Sequence, residues 1–272
     1  MLRCRVIPPR IITLTTDFGL RDAYVASVKG VILSIAPGVT IVDVSHQVTP
    51  QAVEEGAFLL STMWTYFPAD TIHVAVVDPG VGTGRRPIAV RSERATFVGP
   101  DNGTFAPALA AMGAVDPSNG TLTTAEAVEL TAEEYRRQPT SQTFHGRDIF
   151  APAAAHIAAG IPLQALGPRL DRLAILPLPG FSRNRGVLLG SVAHIDAFGN
   201  VITSIPAEEL PETPVIRVGE VAIEGLAASY QERTLAALIG SSGFLEVAVR
   251  NGSAAQYLGV RVGDPIEVRR GK

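Results

Sequence analysis

One short segment of the sequence combines an acid, a glycine-rich loop and two bases. Residues 76–86 read Val-Val-Asp-Pro-Gly-Val-Gly-Thr-Gly-Arg-Arg and continue an apolar, strand-like run that starts at Ile72. Asp78 therefore stands at the carboxyl end of a predicted strand, where open α/β sheets bind their ligands. Its carboxylate could orient a water, hold a metal or accept hydrogen bonds from a ribose, and it could pair with Arg85; a purely structural ion pair is the alternative. The glycines lack the spacing of a dinucleotide-binding loop or a P-loop, which disfavours a phosphate cradle.

A second segment, Phe-His-Gly-Arg-Asp at 144–148, places an imidazole ahead of an alanine-rich stretch that is predicted to be helical. The dipole at a helix N-terminus disfavours the protonated form of a histidine. A neutral His145 could orient or deprotonate a water, and the alternative is that it caps the helix or packs nearby. Of the other histidines, His46 ends a strand pattern and is ambiguous, whereas three are expected to be core residues: His73, His156 and His194.

Further candidate ligand residues lie in turns. Asp17 and Asp101 each follow a strand pattern beside a glycine, and each either faces a pocket for a polar ligand or bonds its own turn backbone. The segment Asp-Ala-Phe-Gly-Asn at 196–200 predicts a β turn or, alternatively, a loop that offers a ligand a carboxylate, an aromatic face and an amide. Ser-Ser-Gly at 241–243 and Arg-Asn-Gly at 250–252 are turns first and candidate ligand loops second.

The elements that must position these residues fall into two groups. The first 175 residues alternate strand and helix patterns, which predicts an α/β layered domain with a mostly parallel sheet over residues 1–175. The predicted strands are Ile11–Thr15, Thr40–Val44, Ile72–Val77, Pro87–Val90 and Ala95–Val98, and the predicted helices are Asp22–Ile35, Pro50–Thr65 and Asp148–Ala159.

A proline- and glycine-containing segment at 176–185 is the predicted linker. Beyond it, short strand patterns punctuated by glycine or proline predict a small β-barrel domain over residues 186–272. These patterns are Val187–Ile195, Asn200–Ile205, Pro214–Val218, Thr234–Ile239, Phe244–Val249 and Pro265–Val268, with one short helix at Ala254–Leu258.

Composition excludes several functional classes. The 272 residues are 46% hydrophobic and 18% charged, with a formal net charge of -3, so no basic patch favours nucleic acid. The sequence contains no apolar run of 18 residues, so no membrane-spanning segment is predicted. The N-terminus does not read as a signal peptide, and one cysteine, Cys4, cannot form a disulfide within the chain. A cytoplasmic location is therefore expected.

Six motifs taken together resemble the S-adenosyl-L-methionine hydroxide adenosyltransferases, relatives of the fluorinase and chlorinase enzymes. In the N-terminal part they are Thr-Thr-Asp-Phe-Gly at 15–19, Val-Asp-Pro-Gly-Val-Gly-Thr at 77–83, Gly-Pro-Asp-Asn-Gly at 99–103 and Phe-His-Gly-Arg-Asp at 144–148. In the C-terminal part they are Asp-Ala-Phe-Gly-Asn at 196–200 and Ser-Gly-Phe-Leu-Glu-Val-Ala-Val-Arg-Asn-Gly at 242–252. The motifs cover nearly the whole chain, in order, across both predicted domains. The resemblance implies an α/β domain joined to a β-barrel domain. It also implies a homotrimer with substrate bound between one subunit's N-terminal domain and its neighbour's C-terminal domain.

The reaction implied by the resemblance is S-adenosylmethionine plus water giving adenosine plus L-methionine, with no cofactor. Asp78 would orient the water, with His145 as a second acceptor and Arg85 fixing Asp78. The implied substrate-binding residues are Asp17 for the ribose, Asp196 for the ammonium, Ser242 for the carboxylate, Phe198 and Asn200 for adenine with the backbone of Arg250, Asn251 and Gly252, and the motif neighbours Phe144 and Gly146.

The halogenating relatives differ at informative positions. The fluorinase has a tyrosine where this chain has Asp78 and a fluoride-contacting serine where it has Gly146, and its Asp-to-Phe spacing at Asp196 is one residue longer. A carboxylate repels a halide and attracts a water, so the sequence predicts hydrolysis. Two alternatives stay open: a halide-dependent transferase of the chlorinase type, and a non-catalytic protein that binds adenosine or S-adenosylmethionine.

Overall fold

The computed structural model describes residues 10–176 and 180–271 and divides into two compact units. The N-terminal unit is Met1–Leu176 and the C-terminal unit is Pro177–Lys272. Part of the predicted linker, residues 177–179, lies outside the described residues. Within the remainder of that interval the chain already forms a short strand, Ser182–Asn184.

The N-terminal unit is built on a seven-stranded mixed sheet. Its strands are β1 (Ile11–Thr16), β2 (Thr40–Ser45), β3 (Thr71–Val76), β4 (Pro87–Arg91), β5 (Ala95–Pro100), β6 (Glu126–Glu129) and β7 (Arg169–Leu170), in the order β2-β1-β3-β5-β4-β6-β7. The pairs β2-β1, β1-β3 and β3-β5 are parallel, whereas the three pairs from β5 to β7 are antiparallel. The parallel half brings the ends of β1 and β3 to one edge, where Asp17 and Asp78 follow them.

Helices cover both faces of this sheet: α1 (Tyr24–Ile35), α2 (Val53–Met63), α3 (Ala106–Ala111) and α4 (Ala151–Ala158). Alternate β3 residues face opposite layers, because Val74 joins the core of α1 and α4 while Ala75 joins the core of α2 and α3. Every residue of β3 is buried. Such two-sided burial explains why this strand reads as a continuous apolar run.

The helix predicted at 148–159 begins differently in the structure. Gly146–Phe150 forms one π-helical turn that leads into α4, with His145 immediately before it. Single π turns are frequent at functional sites. This one overlaps the motif at 144–148 and continues directly into α4.

The C-terminal unit is an antiparallel, nearly closed sheet. It contains β8 (Ser182–Asn184), β9 (Val187–Ile195), β10 (Val201–Pro206), β11 (Pro214–Val218), β12 (Val221–Glu224), β13 (Leu235–Ile239), β14 (Phe244–Val249) and β15 (Pro265–Arg270), together with α5 (Ala254–Leu258). The order is β12-β11-β15-β9-β10-β14-β13, with β8 on β9. Its apolar core includes Val192, Ile216, Val247 and Ile266.

The fold class predicted from the sequence, an α/β domain followed by a small barrel-like β domain, is confirmed, and the structure adds the antiparallel half of the first sheet. Sequence patterns missed α3, β6, β7, β8 and β12. These elements have two to six residues, too few for a hydrophobic period to show. No helix in the described ranges 10–176 and 180–271 is long and apolar enough to cross a membrane.

Candidate active site

Asp78, Arg85 and His145 form one hydrogen-bonded cluster. Asp78 lies two residues past β3, Arg85 lies two residues before β4, and His145 precedes the π turn. Arg85 donates from Nε to Asp78 Oδ1 at 2.9 Å and from Nη2 to Asp78 Oδ2, and Nη2 also lies 3.0 Å from His145 Nδ1. The side chains of Arg85 and Asp78 are only 10% and 5% exposed. This two-bond geometry fixes both the distance and the plane of the carboxylate.

The contact with Arg85 determines the tautomer of His145. A guanidinium has N–H donors and no acceptor, so His145 Nδ1 must accept and the ring proton resides on Nε2. Burial, followed by the positive charge of Arg85, holds the pKa of His145 below its usual value. The imidazole is therefore neutral at pH 7 and presents an N–H donor at Nε2.

The glycine-rich loop positions this cluster by close packing. Val81 and Thr83 donate backbone N–H bonds to the carbonyls of Asp78 and Gly80, which folds the loop into tight turns. Gly82 has a φ of 74°, and a Cβ there would come within 2.5 Å of the Gln142 carbonyl oxygen. The loop thus lies directly against the segment that leads into His145. A polar cavity of about 590 Å³ opens beside it and is bordered by Arg85, His145 and Arg136.

Asp17 belongs to a turn that packs against the same region. Its Oδ2 accepts a 2.9 Å hydrogen bond from the backbone of Gln51. The neighbouring Phe18 ring meets Phe144 edge to face at 5.7 Å. A Cβ on buried Gly146 would come within 3.1 Å of the Phe18 ring. The structure therefore brings Phe144 and Gly146, two of the residues predicted from the sequence, against the turn that carries Asp17.

Two other acids in this unit have structural partners. Asp101 accepts from Arg86 Nε at 2.9 Å and from the backbone of Ala174 at 2.8 Å. Its carboxylate therefore has structural partners, but they lie outside its own turn, contrary to the turn-backbone alternative predicted from the sequence. Asp148 is fully buried and accepts two bonds from Arg147. Burial opposes its charge, but hydrogen bonds from Arg147 and Ser141 hold the pKa of Asp148 below its usual value.

The C-terminal unit contains a separate cavity of about 590 Å³. All of the predicted adenine contacts line it together with Tyr230: Phe198, Asn200, Arg250, Asn251 and Gly252. Phe198 is 81% exposed, an unusual position for a large aromatic ring. An open aromatic face beside a buried amide suits a flat, polar ring system.

Asp196 holds the loop that forms this cavity. Its Oδ1 accepts from the backbone N–H groups of Phe198 and Asn200, and its Oδ2 accepts from the Asn200 side chain, each at 2.9 Å. Gly199, with a φ of 82°, completes the turn. The predicted β turn is present, and its carboxylate is what presents Phe198 and Asn200 to the cavity.

Ser242 lies apart from the other predicted ligand residues of its unit. It sits in the turn before β14, whereas Arg250 follows that strand. The six residues of β14 span about 20 Å, so the structure does not bring Ser242 to the cavity that Arg250 lines.

Sequence reasoning missed Tyr230 and Glu246. The Tyr230 hydroxyl donates a 2.8 Å hydrogen bond to Glu246 Oε1, beneath the cavity wall. Burial, the hydrogen bond and the charge of Glu246 raise the pKa of Tyr230 to about 12, and burial raises the pKa of Glu246. A glutamate within the apolar strand run 244–249 was a usable signal, because a buried carboxylate requires a partner; Tyr230 in its loop gave none.

Known proteins match this chain over nearly its full length. Models of the SAM hydroxide adenosyltransferase N-terminal and C-terminal domains match residues 12–167 and 190–267. An (R)-S-adenosyl-L-methionine hydrolase of Salinispora arenicola is 40% identical, over 96% of this chain and 98% of that protein. A fluorinase of Nocardia brasiliensis is 31% identical, over 96% and 97%. The crystal structure of an uncharacterized conserved protein from Thermotoga maritima superposes with a TM-score of 0.86 at 35% identity, covering 95% of this chain and all of that one.

Proposed function

Because the chain belongs to the S-adenosyl-L-methionine hydroxide adenosyltransferase family, we propose that it cleaves S-adenosyl-L-methionine with water to give adenosine and L-methionine. The water oxygen attacks the ribose C5′, the C5′–S bond breaks, and its electron pair stays on sulfur as the methionine thioether. One water proton is released. The single observation that carries the proposal is the partly buried, hydrogen-bonded cluster of Asp78, Arg85 and His145.

The two side chains that Arg85 contacts have different roles in this proposal. Asp78 is the acceptor for the water, because the carboxylate keeps free lone pairs after it has accepted the two bonds from Arg85. His145 acts as a donor rather than as the second acceptor that the sequence suggested, because its Nδ1 already accepts from Arg85. A sulfonium is a good leaving group without protonation, so catalysis rests on holding water and C5′ in line.

The test is incubation with S-adenosylmethionine in halide-free buffer, with adenosine and methionine measured by chromatography. Asp78→Asn should lower kcat by about 100-fold or more with little change in KM, as expected when the group that activates the water is lost. Asp101→Asn is the matched control, since Asp101 is also held by an arginine of the same loop. It should lower stability and leave kcat near the wild-type value.

Two results would count against hydrolysis, and a third would count against the role of Asp78. If product forms only with chloride and is 5′-chloro-5′-deoxyadenosine, the protein is a halide-dependent transferase. If substrate binds tightly and is recovered intact, the protein is a binding protein. Equal kcat values for Asp78→Asn and the wild type would remove Asp78 from the mechanism.

We propose the (R) epimer at sulfur as the substrate, since hydrolases similar to this chain over nearly their full length carry that epimer in their names. The measurement uses a mixture of both sulfur epimers and follows each one by chromatography. Selective loss of the (R) form is expected, and equal loss of both would contradict the assignment.

For substrate recognition we propose that the cavity of the C-terminal unit takes adenine, with Phe198 stacked on the base and Asn200 hydrogen-bonded to its edge. Asp17 takes the ribose hydroxyls and Asp196 the ammonium at the amino-acid end. Ser242, which lies at the other end of β14, is given no contact in this cavity. The buried position of Asn200 beside the exposed Phe198 ring supports the first of these assignments. Asn200→Ala should weaken adenosine binding about tenfold or more, measured by calorimetry, because a buried polar edge loses its partner.

The family resemblance also supports a homotrimer whose neighbouring chains complete each site. A mass three times that of one chain is expected in light scattering. Mixing Asp78→Asn and Asn200→Ala chains should restore part of the activity, and no recovery after verified subunit exchange would contradict shared sites.

We further propose that the reaction needs no cofactor, and unchanged activity after chelation is the expected result. We also propose that the protein is cytoplasmic, which cell fractionation tests.

A further inference from the structure

Two buried histidines of the N-terminal unit bond to threonines on the same strand, β1. His46 Nδ1 lies 2.9 Å from Thr16 Oγ1, and His73 Nδ1 lies 2.8 Å from Thr13 Oγ1. Both imidazoles are nearly inaccessible, at 4% and 1% exposure. They differ in what lies beyond the threonine: Thr13 is inside the strand, whereas Thr16 ends it and leads into Asp17.

The hydrogen bonds around Thr16 form a chain from the backbone of Phe18 through the Thr16 hydroxyl to His46. Thr16 Oγ1 accepts from the backbone N–H of Phe18 at 3.2 Å. Its own hydroxyl proton is then free to donate to His46 Nδ1, which places the imidazole proton on Nε2. That atom lies 3.0 Å from Asp43 Oδ1, close but poorly aligned for a hydrogen bond.

Asp43 completes the chain of contacts and is itself held. Lys29 donates to its other oxygen at 2.6 Å. Partial burial opposes the charge, yet the hydrogen bond from Lys29 and the close approach of His46 keep the pKa of Asp43 below its usual value. A carboxylate of fixed charge thus faces the Nε2–H side of His46 and favours one orientation of the ring.

His46 also holds the same turn through its backbone. Its carbonyl oxygen accepts the N–H of Gly19 at 2.7 Å. The loop that follows His46 supplies the Gln51 N–H that binds Asp17 Oδ2. One segment therefore fixes both ends of the Thr16–Gly19 turn and the carboxylate that the turn carries.

We propose that His46 is a positioning residue for Asp17, acting through Thr16 to set the carboxylate that binds the substrate. The inference rests on the proposed role of Asp17 toward the ribose. His46 touches no reacting atom; the effect of its removal is a turn that no longer holds Asp17 in a single position.

The experiment compares His46→Leu with His73→Leu, which loses an equivalent threonine bond away from the turn. His46→Leu should raise KM for S-adenosylmethionine and Kd for adenosine by about tenfold, the usual loss for one misplaced hydrogen bond to a ligand, with kcat changed much less. His46→Asn, whose Oδ1 can replace Nδ1 as acceptor, should restore most of the affinity. His73→Leu should reduce thermal stability without changing KM.

Thr16→Val and Thr16→Ser keep the inference testable if His46→Leu does not fold. The valine variant removes the hydroxyl and should reproduce the loss of affinity, whereas the serine variant should keep wild-type affinity. A folded His46→Leu or Thr16→Val protein with wild-type KM and Kd would overturn the inference, as would an equal rise in KM for His73→Leu. If the wild-type protein binds neither compound, the proposed function itself fails, which is a separate result.

Discussion

Arg85 serves two side chains with one guanidinium. Its Nε and Nη2 hold Asp78, and the same Nη2 reaches His145. The Arg85 Cζ atom also lies over the ring of Phe150, 5.2 Å from the ring centroid. A lysine offers one compact charge in place of this planar fork and would not reproduce both contacts. The state of His145 therefore depends on Arg85 as well as on burial.

This dependence predicts the pH behaviour of His145. Its pKa is lowered, so the neutral ring is present at pH 7 and is lost only as pH falls through a value below 6.5. The acid limb of kcat/KM should lie below that pH. Arg85→Gln removes a nearby positive charge and leaves Asp78, so the pKa of His145 should rise. Histidine NMR titration measures this shift without relying on activity, and an unchanged or lower pKa would contradict it.

At the scale of secondary-structure elements, the end of β3, the start of β4 and the π turn before α4 position Asp78, Arg85 and His145. The ends of β1 and β3 were predictable because long apolar runs mark strands on their own. The contact of the 80–84 loop with Gln142 was not predictable, since those residues are 60 positions apart in sequence and nothing local marks the pairing. Asp78 and His145 could be singled out from the sequence, because a carboxylate and a neutral imidazole can each orient a water. The tautomer of His145 and the role of Asp196 in its turn depend on hydrogen-bond partners that appear only after folding.

The glycine loop gives a prediction with an internal control. Gly82→Ala forces a positive φ and a collision with the Gln142 carbonyl, so it should cost about 1–3 kcal/mol of stability. It should also lower kcat by displacing the loop that bears Arg85. Gly84→Ala, in the same loop with nothing within 4 Å of the added Cβ, should have little effect on either. Equal effects of the two variants would show that loop flexibility rather than close packing matters.

His73 predicts how the stability of the N-terminal sheet depends on pH. Burial between β1 and the rings of Phe67 and Phe97 lowers the pKa of His73 to about 4. An unfolded histidine titrates near 6.5, so the unfolded chain binds the proton more readily and stability falls as pH drops from 6.5 toward 4. The loss should approach about 3 kcal/mol. Urea unfolding followed by the fluorescence of Trp64, which packs in this unit, should show the loss in wild type and a smaller one in His73→Leu.

At the scale of the whole molecule, the groups proposed to act on water and the cavity proposed to take adenine belong to different units. The N-terminal unit carries Asp78, Arg85 and His145, and the C-terminal unit carries the cavity lined by Phe198 and Asn200. Each unit has a hydrophobic core of its own. Such a division allows substitutions to alter reaction and recognition separately.

Ligand-induced stabilisation tests this separation. Adenosine at 100 times its Kd should stabilise the wild-type protein by about 2.7 kcal/mol, because it binds only the folded state. Asp78→Asn should keep this stabilisation while losing turnover. At the same adenosine concentration, Asn200→Ala should lose about half of the stabilisation or more, because its affinity is about tenfold weaker. Thermal unfolding with and without adenosine measures both. Loss of stabilisation in Asp78→Asn would mean that the two functions are not separate.

The pairing of Asp78 with Arg85 has a consequence for the energy of the bound substrate. An unpaired carboxylate beside a sulfonium would attract the substrate cation most strongly before reaction, and part of that attraction would vanish as the positive charge disperses in the transition state. Binding of that kind deepens the ground state and slows the chemical step. Because Arg85 already compensates the charge of Asp78, the carboxylate can direct its remaining lone pairs to water without holding the sulfonium back.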